Sequence, residues 1–440
     1  MGYGARQGRA QALHDPLYAR ALYLRSGPAG EDVLLVECDV CLLLPVQALE
    51  VRHEIARRTG IAVERILMGC IHTHSGPDTG LFERLSGQSA SAREAGILEA
   101  AALAGCQAAA APLPARLGVG HARVRIGRNR SRADGPVDPD VLVLRVDSAG
   151  PQTHACLAIL YVYGCHPTVL GHDNLHYSAD WPWAAGLALR EAFPGVNPIF
   201  ALGAHADIDP RTRGLQDLAI ADQSRGADFR TLEALGREVG RAVVEAARGL
   251  ELEARCPVAA ASTRVRVATH ADSPAERRAA LQALGLPEDA KLGTGEIYRL
   301  EQERTAHLPL AERRERIACV RRYLRGHTAA RVAGGACPEV EVQVLRLGPV
   351  LLLALPAEPS VEVGLDWKAR CGSAHAAVLG IANGWLRYLP HTHSYEVPLA
   401  HQHYEVLQAV LVPEAAEQLL QAGARLAQEL DARLATQGAA

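Results

Sequence analysis

Val33-Leu34-Leu35-Val36-Glu37-Cys38-Asp39-Val40-Cys41-Leu42-Leu43-Leu44 reads as a mostly buried strand running into a turn. Residues 46–59 have helical spacing, and Ile66-Leu67-Met68-Gly69-Cys70-Ile71 is a second short apolar run that ends at His72. Two apolar strands joined by a helix are the unit of an α/β fold. Further along, Ser91-Ala92-Arg93-Glu94 opens an Ala-rich helix, in a capping-box pattern, that stops at Pro112. Val141–Val146 and Ala155–Tyr163 read as adjacent strands joined by a Gly-Pro turn, and Pro198–Leu202 as another short strand. Residues 229–249 have amphipathic helical spacing, and a strand returns at 257–268.

Residues 272–328 differ in composition. Their Arg, Glu, Leu and Ala recur at helical spacing, which predicts a helical insertion in the sheet, serving as a lid or a contact between copies if not simply a solvated face. Val340–Leu347 alternates apolar and polar, turns at Gly348-Pro349 and continues as the apolar run Val350–Leu355. A last helix is expected from Pro413 to Ala435. No repeat or flexible linker divides the chain. The expectation is one α/β domain over residues 1–440, a mixed β-sheet core flanked by helices, with the helical insertion.

The 440 residues are 48% hydrophobic and carry 46 Lys and Arg against 49 Asp and Glu, a net charge of −3. That balance excludes a disordered chain and a basic nucleic-acid binder. With aromatics at 4%, the core must come from Leu, Val, Ile and Ala. The ten cysteines are scattered, which argues for a reducing compartment and against a disulfide framework. Cys38-Asp39-Val40-Cys41 has redox-motif spacing but lies in an apolar run, so both cysteines read as small buried residues. The N-terminus is polar, without an apolar signal region, and no run is long enough to span a membrane. A cytoplasmic protein is expected.

The residues that carry chemistry follow the apolar runs. His72-Thr73-His74-Ser75-Gly76-Pro77 ends one, and on an extended backbone His at i and i+2 point the same way and can face one ion. His166-Pro167-Thr168 ends another, with His172, Asp173, His176 and Asp180 close behind. Ala204-His205-Ala206-Asp207-Ile208-Asp209-Pro210-Arg211 follows the strand at 198–202, and Leu355-Pro356-Ala357-Glu358-Pro359 follows the strand at 350–355. Each motif alone also reads as a polar loop. Together, strands ending in His, His, Asp and Glu lay out a metal centre at a sheet edge. A second His-x-His, His391 and His393, competes with the first but lies in a polar loop with no strand leading into it.

The order of these motifs, with Asn129-Arg130-Ser131, Asp207-x-x-Pro210, Pro356-Ala357-Glu358 and Asn383…Tyr388, resembles the catalytic domain of the neutral/alkaline (non-lysosomal) ceramidases. His14-Asp15-Pro16-Leu17-Tyr18-Ala19-Arg20-Ala21 is similar to that family's N-terminal segment. The resemblance runs from about residue 2 to 405 and implies a zinc-dependent amidase. It implies His72, His166, Glu358 and Tyr388 as Zn2+ ligands and His74 as a catalytic group beside them. Asp207 and Asp209 are further catalytic candidates; Arg130, Asp180 and His205 are candidate substrate contacts.

The chain departs from the pattern around the substrate. Asp209 stands where the family has serine, Ala206 where it has glycine, His205 where a small residue is usual, and Trp183 where glycine is expected. No immunoglobulin-like C-terminal domain is expected. The expected function is hydrolysis of an amide in a small or lipid-like N-acyl substrate other than ceramide, with Asp209 as a base or as the holder of a cationic amine. Neither a nucleic-acid partner nor a membrane span is expected, and a homo-oligomer is compatible with the sequence. The alternatives are an amide-forming or cyclising enzyme with the same centre, and a binding protein that keeps the fold without catalysis.

Overall fold

A computed structural model describes residues 1–3, 6, 8–27, 31–81, 84, 91–150, 155–213, 226–398 and 401–438. The opening unit is β3 (Asp32–Cys38), α1 (Pro45–Thr59) and β4 (Ile66–Cys70), with β3 and β4 parallel and β2 (Ala19–Arg25) antiparallel on the other edge of β3. The strand expected to run into a turn within 33–44 does so at Cys38. It stops there because Asp39 turns inward, where its carboxylate accepts from Arg20 Nη1 at 2.7 Å and from the Tyr18 amide at 2.9 Å. A half-buried ion pair fixes the bend that a purely apolar residue would have let pass.

A second sheet orders β10 (Asn197–Leu202), β8 (Cys156–Tyr163), β7 (Asp140–Ser148) and β5 (Ala115–Arg123). A third orders β12 (Val258–Arg266), β13 (Glu339–Leu347), β14 (Val350–Ala354) and β16 (Ala376–Leu379). Both mix parallel and antiparallel pairs. Two-stranded pairs join β1 (Ala12–Leu13) to β9 (His176–Tyr177), β6 (Gly127–Asn129) to β11 (Ile208–Pro210), and β15 (Glu358–Pro359) to β17 (Tyr388–Leu389). The expected β7–β8 neighbours and the β13–β14 hairpin are both present. The turn placed at Gly150-Pro151 runs into 151–154, outside the described residues.

The expected mixed β-sheet core is present as several sheets, and period-two alternation explains how the three larger ones share cores. Val33 and Leu35, Leu142 and Leu144, and Leu345 and Leu352 point into one apolar layer common to all three. Leu34 and Val36, with Val141 and Val143, point the other way, under α1, α2 (Ala92–Ala110), α3 (Trp181–Ala192) and α4 (Phe229–Arg248). The far face of the third sheet, with Val342, Val344 and Leu353, packs beneath Trp367 of α8 (Val361–Arg370) and Leu419, Leu426 and Leu430 of α10 (Ala415–Gly438). The result is helix, sheet, sheet, helix. Each fully buried Leu or Val in these layers contributes about 1.5–3 kcal/mol.

The helical insertion lies between β12 and β13 as α5 (Pro274–Ala283), α6 (Thr294–Thr305) and α7 (Leu310–Ala333), ending five residues beyond the expected boundary. It has its own core of Ala280, Leu284, Ile297, Val320, Tyr323 and Leu324. Arg325 Nη1 donates to the Val406 carbonyl at 2.9 Å, which ties the insertion to the short helix α9 (Tyr404–Gln408). No helix among the described residues is long and apolar enough to cross a membrane.

Candidate metal centre

Three imidazoles and one carboxylate meet where strands end. His72 follows β4, His166 follows β8, His205 follows β10, and Glu358 follows β14 at the start of β15. Crevices outside strand ends are where open α/β sheets collect their chemistry. The Nε2 atoms of His72, His166 and His205 lie 3.4, 3.5 and 3.7 Å from Glu358 Oε2. One ligating atom from each of the four falls within 4.8 Å of all the others, and all four side chains are buried.

The backbone orients every ring. Nδ1 of His72 faces the Cys41 carbonyl at 2.7 Å, that of His166 the Ile208 carbonyl at 3.1 Å, and that of His205 the Gly203 carbonyl at 2.8 Å. A carbonyl only accepts, so each Nδ1 carries the proton and each Nε2 turns a lone pair inward. Glu358 Oε1 accepts from Trp385 Nε1 at 2.7 Å, which leaves Oε2 to face the rings. Among the described residues, Nε2 of His166, Nε2 of His205 and Glu358 Oε2 are buried without a hydrogen-bond partner. Three orphaned acceptors aimed at one point are unfavourable by themselves and could hold a metal ion. The residues fit an ion.

The electrostatics agree. Burial pushes the Glu358 carboxyl up, but the His72, His166 and His205 rings outweigh it and hold the group well below the usual carboxylate range. Burial drives His205 well down, and also lowers His166. His72 goes the other way, because the Cys41 sulfur and Glu358 overcome its burial. His72 also sits at φ 66°, a strained conformation for a residue with a Cβ, of the kind that collects at functional sites.

His74 borders the cluster, its Nε2 3.2 Å from His72 Nε2. Burial, with the His72 and His166 rings, keeps it well below the ordinary histidine value. The N-terminal residues wall it in, which their polar sequence gave no reason to expect. Gly2 lies against the ring, where a Cβ would collide with it, and Tyr3 packs edge-on at 4.6 Å. Arg6 Nη1 donates to the His74 carbonyl at 2.8 Å. Cys41 Sγ is 3.5 Å from His72 Nδ1, on the side of the ring away from Nε2. Cys38 and Cys41 are both buried, as their apolar run implies.

A charged node adjoins the centre behind His166. Asp209 Oδ1 lies 3.6 Å from His166 Nδ1 and 3.3 Å from Arg130 Nη1, and its other oxygen is 3.7 Å from Arg213 Nε. Arg130 also donates to Glu405 at 2.7 Å, and its guanidinium lies 5.8 Å from the Tyr388 ring centre. Tyr388 is the register partner of Glu358 in the β15–β17 pair, so both side chains leave the same face.

Two of the expected site carboxylates are turned to the frame instead. Asp180, at φ 62°, caps α3 and accepts from the amides of Val169, Leu170 and Trp181. Asp207 accepts from the Val361 amide and Asn129 Nδ2, both at 2.8 Å. Burial pushes each up to about 6. The second pair of histidines, His391 and His393, lies apart from the cluster, against Asp366 at 3.4 Å and Glu362 at 3.1 Å.

No family model matches the chain, and no curated protein does. Solved structures do. The neutral ceramidase from Pseudomonas aeruginosa superposes with a TM-score of 0.68 at 19% identity, covering 98% of this chain and 73% of its own. A ceramidase complexed with C2 gives 0.67 at 18% identity, covering 98% and 74%. At this identity the likeness is one of fold, and the fold of this chain is that of the neutral ceramidases.

Proposed function

We propose that the chain is a zinc-dependent hydrolase of a carbon–nitrogen (amide) bond, acting on a small or lipid-like N-acyl compound other than ceramide itself, with residues 1–440 working as one catalytic unit. The observation that carries this reading is the convergence of His72, His166 and Glu358 at the strand ends of a ceramidase fold, with His166 Nε2 and Glu358 Oε2 buried and without a hydrogen-bond partner among the described residues. Two imidazoles and a carboxylate are a recurrent catalytic zinc set, and Tyr388, beside Glu358 in register, completes the set that the resemblance implies. A zinc ion held there supplies Lewis acidity and brings the acidity of water close to neutral pH.

The chain's own groups do the rest. Nδ1–H bonds to backbone carbonyls hold the rings rigid, so nothing need reorganise as charge develops. His74 stands one imidazole from the centre, placed to donate to an acyl oxygen or to pass a proton to a leaving amine. Arg130, whose Nη2 is buried without a hydrogen-bond partner among the described residues, offers a donor to a polar substrate group. Asp209 holds Arg130 and Arg213 in place, and Asp180 and Asp207 hold the loops. A substrate other than ceramide is favoured because His205 and Asp209, a ring and a charge, occupy positions where the resembled family has small or uncharged groups.

The test is hydrolysis of an N-acyl panel (N-acylsphingosine, N-acyl amino acids, short N-acyl amines) by zinc-loaded protein, read as free amine. Turnover of at least one compound other than N-acylsphingosine, abolished by a chelator and restored by zinc, is expected. Protein that holds zinc one to one yet releases no amine from any of them would sink the proposal.

A further inference from the structure

We infer that His205 is itself a ligand of the ion, so that this chain presents three imidazoles and one carboxylate to a divalent transition metal; the inference rests on the metal-hydrolase reading and specifies its donor set. Four observations converge on it. The His205 ring is fully buried, and its Nδ1 is spent on the Gly203 carbonyl, which leaves a lone pair on Nε2. That Nε2 has no hydrogen-bond partner among the described residues and lies 3.7 Å from Glu358 Oε2. Adjacent donors around tetrahedral zinc are about 3.3 Å apart, given bonds of about 2.0 Å. A nitrogen left bare here would be desolvated with nothing in return.

The backbone is built to hold this ring. The amides of His205 and Ala206 both donate to the Pro359 carbonyl at 2.9 Å, which binds the His205 loop to the residue next to Glu358. The ring face lies on bare backbone at Gly380, where a Cβ would stand 2.9 Å from Cε1 and 3.0 Å from Nδ1. Any larger residue at 380 would push the imidazole off its line. Imidazole-rich donor sets suit zinc, iron, nickel and copper, and do not suit magnesium or calcium, which take oxygen. Three neutral rings and one carboxylate would leave a divalent ion one net positive charge, the same as two rings and a carboxylate would.

X-ray absorption at the zinc edge of the zinc-loaded full chain counts imidazoles directly, and chelator competition gives the affinity. The wild type should show three imidazoles. His205→Gln should show two, with zinc binding weakened at least about 100-fold, beyond the 10–100-fold typical of losing a partner behind a ligand. Gly380→Ala keeps every donor but displaces the ring, and should weaken zinc in the same direction. A wild-type spectrum with two imidazoles, or unchanged affinity in His205→Gln, overturns the inference and leaves the metal-hydrolase reading standing. Wild-type protein that binds no zinc overturns both. The wild-type count decides even if a variant fails to fold.

Discussion

The tetrapeptide His-Thr-His-Ser occurs twice, at 72–75 and at 391–394, and the two copies have different fates. The first follows the buried strand β4; its leading ring is pinned by the Cys41 carbonyl and faces Glu358, His166 and His205. The second forms a short 3-10 turn over Thr392–Tyr395, with its rings 4.4 Å apart and partly open to solvent. The carboxylates it meets already have partners, Asp366 in Arg370 and Glu362 in Arg132. The same four residues therefore join a buried cluster that could hold a metal ion in one place and meet carboxylates near the surface in the other. What differs is desolvation, together with other strand ends that deliver unpaired donors to the same point.

The largest test of this contrast is His72→Ala beside His391→Ala. Zinc content and amide turnover should collapse in the first, by at least about 10³-fold, the equivalent of several kcal/mol of lost charge stabilisation. Equal losses in the two, by metal analysis and rate assay, would break the comparison.

Asp209→Asn asks whether buried charge behind the first copy matters as the half-buried carboxylates around the second do not. Stability at pH 7 should fall by about 3 kcal/mol in denaturant melts, because Arg130 and Arg213 lose their shared anion. Against the pull of burial, those cations hold Asp209 below the ordinary aspartate value. Its contribution is therefore complete above about pH 3.9 and disappears as pH falls through the lowered value. The gap between variant and wild type should close in acid. Turnover of the true substrate by Asp209→Asn at wild-type rates across pH would remove Asp209 from the mechanism.

Trp385→Phe removes the donor to Glu358 Oε1 and should weaken zinc about 10–100-fold in chelator competition. Full affinity would show that the carboxylate orients without it. Smallest of all, His393→Ala should leave zinc content unchanged and stability within about 0.5 kcal/mol by thermal unfolding, as exposed positions do.

Much of the fold was legible because apolar periodicity reports burial. The β3–α1–β4 unit, the β13–β14 hairpin and the helical insertion all appear where the patterns place them. Strands such as β5 (Ala115–Arg123), with burial on scattered positions, carry no such signal. Polar residues at strand ends were legible as a group but not by role. Asp180 and Asp207 look like His72 and Glu358 in sequence, yet both serve backbone amides, and nothing local distinguishes a carboxylate that caps a helix from one that faces a cavity. His205 is the reverse case, a lone histidine in a loop whose partners lie 39, 133 and 153 positions away in the chain.

The sequence by itself determined which segments are strands and helices and that His72, His166 and Glu358 stand at strand ends, because those features follow from backbone period and side-chain polarity within a few residues. Only the tertiary structure decided which polar ends meet, that three sheets share one apolar layer, and that His205 joins the cluster. Those outcomes depend on sheet order and on the direction of single side chains, which are set by packing between residues far apart in the chain.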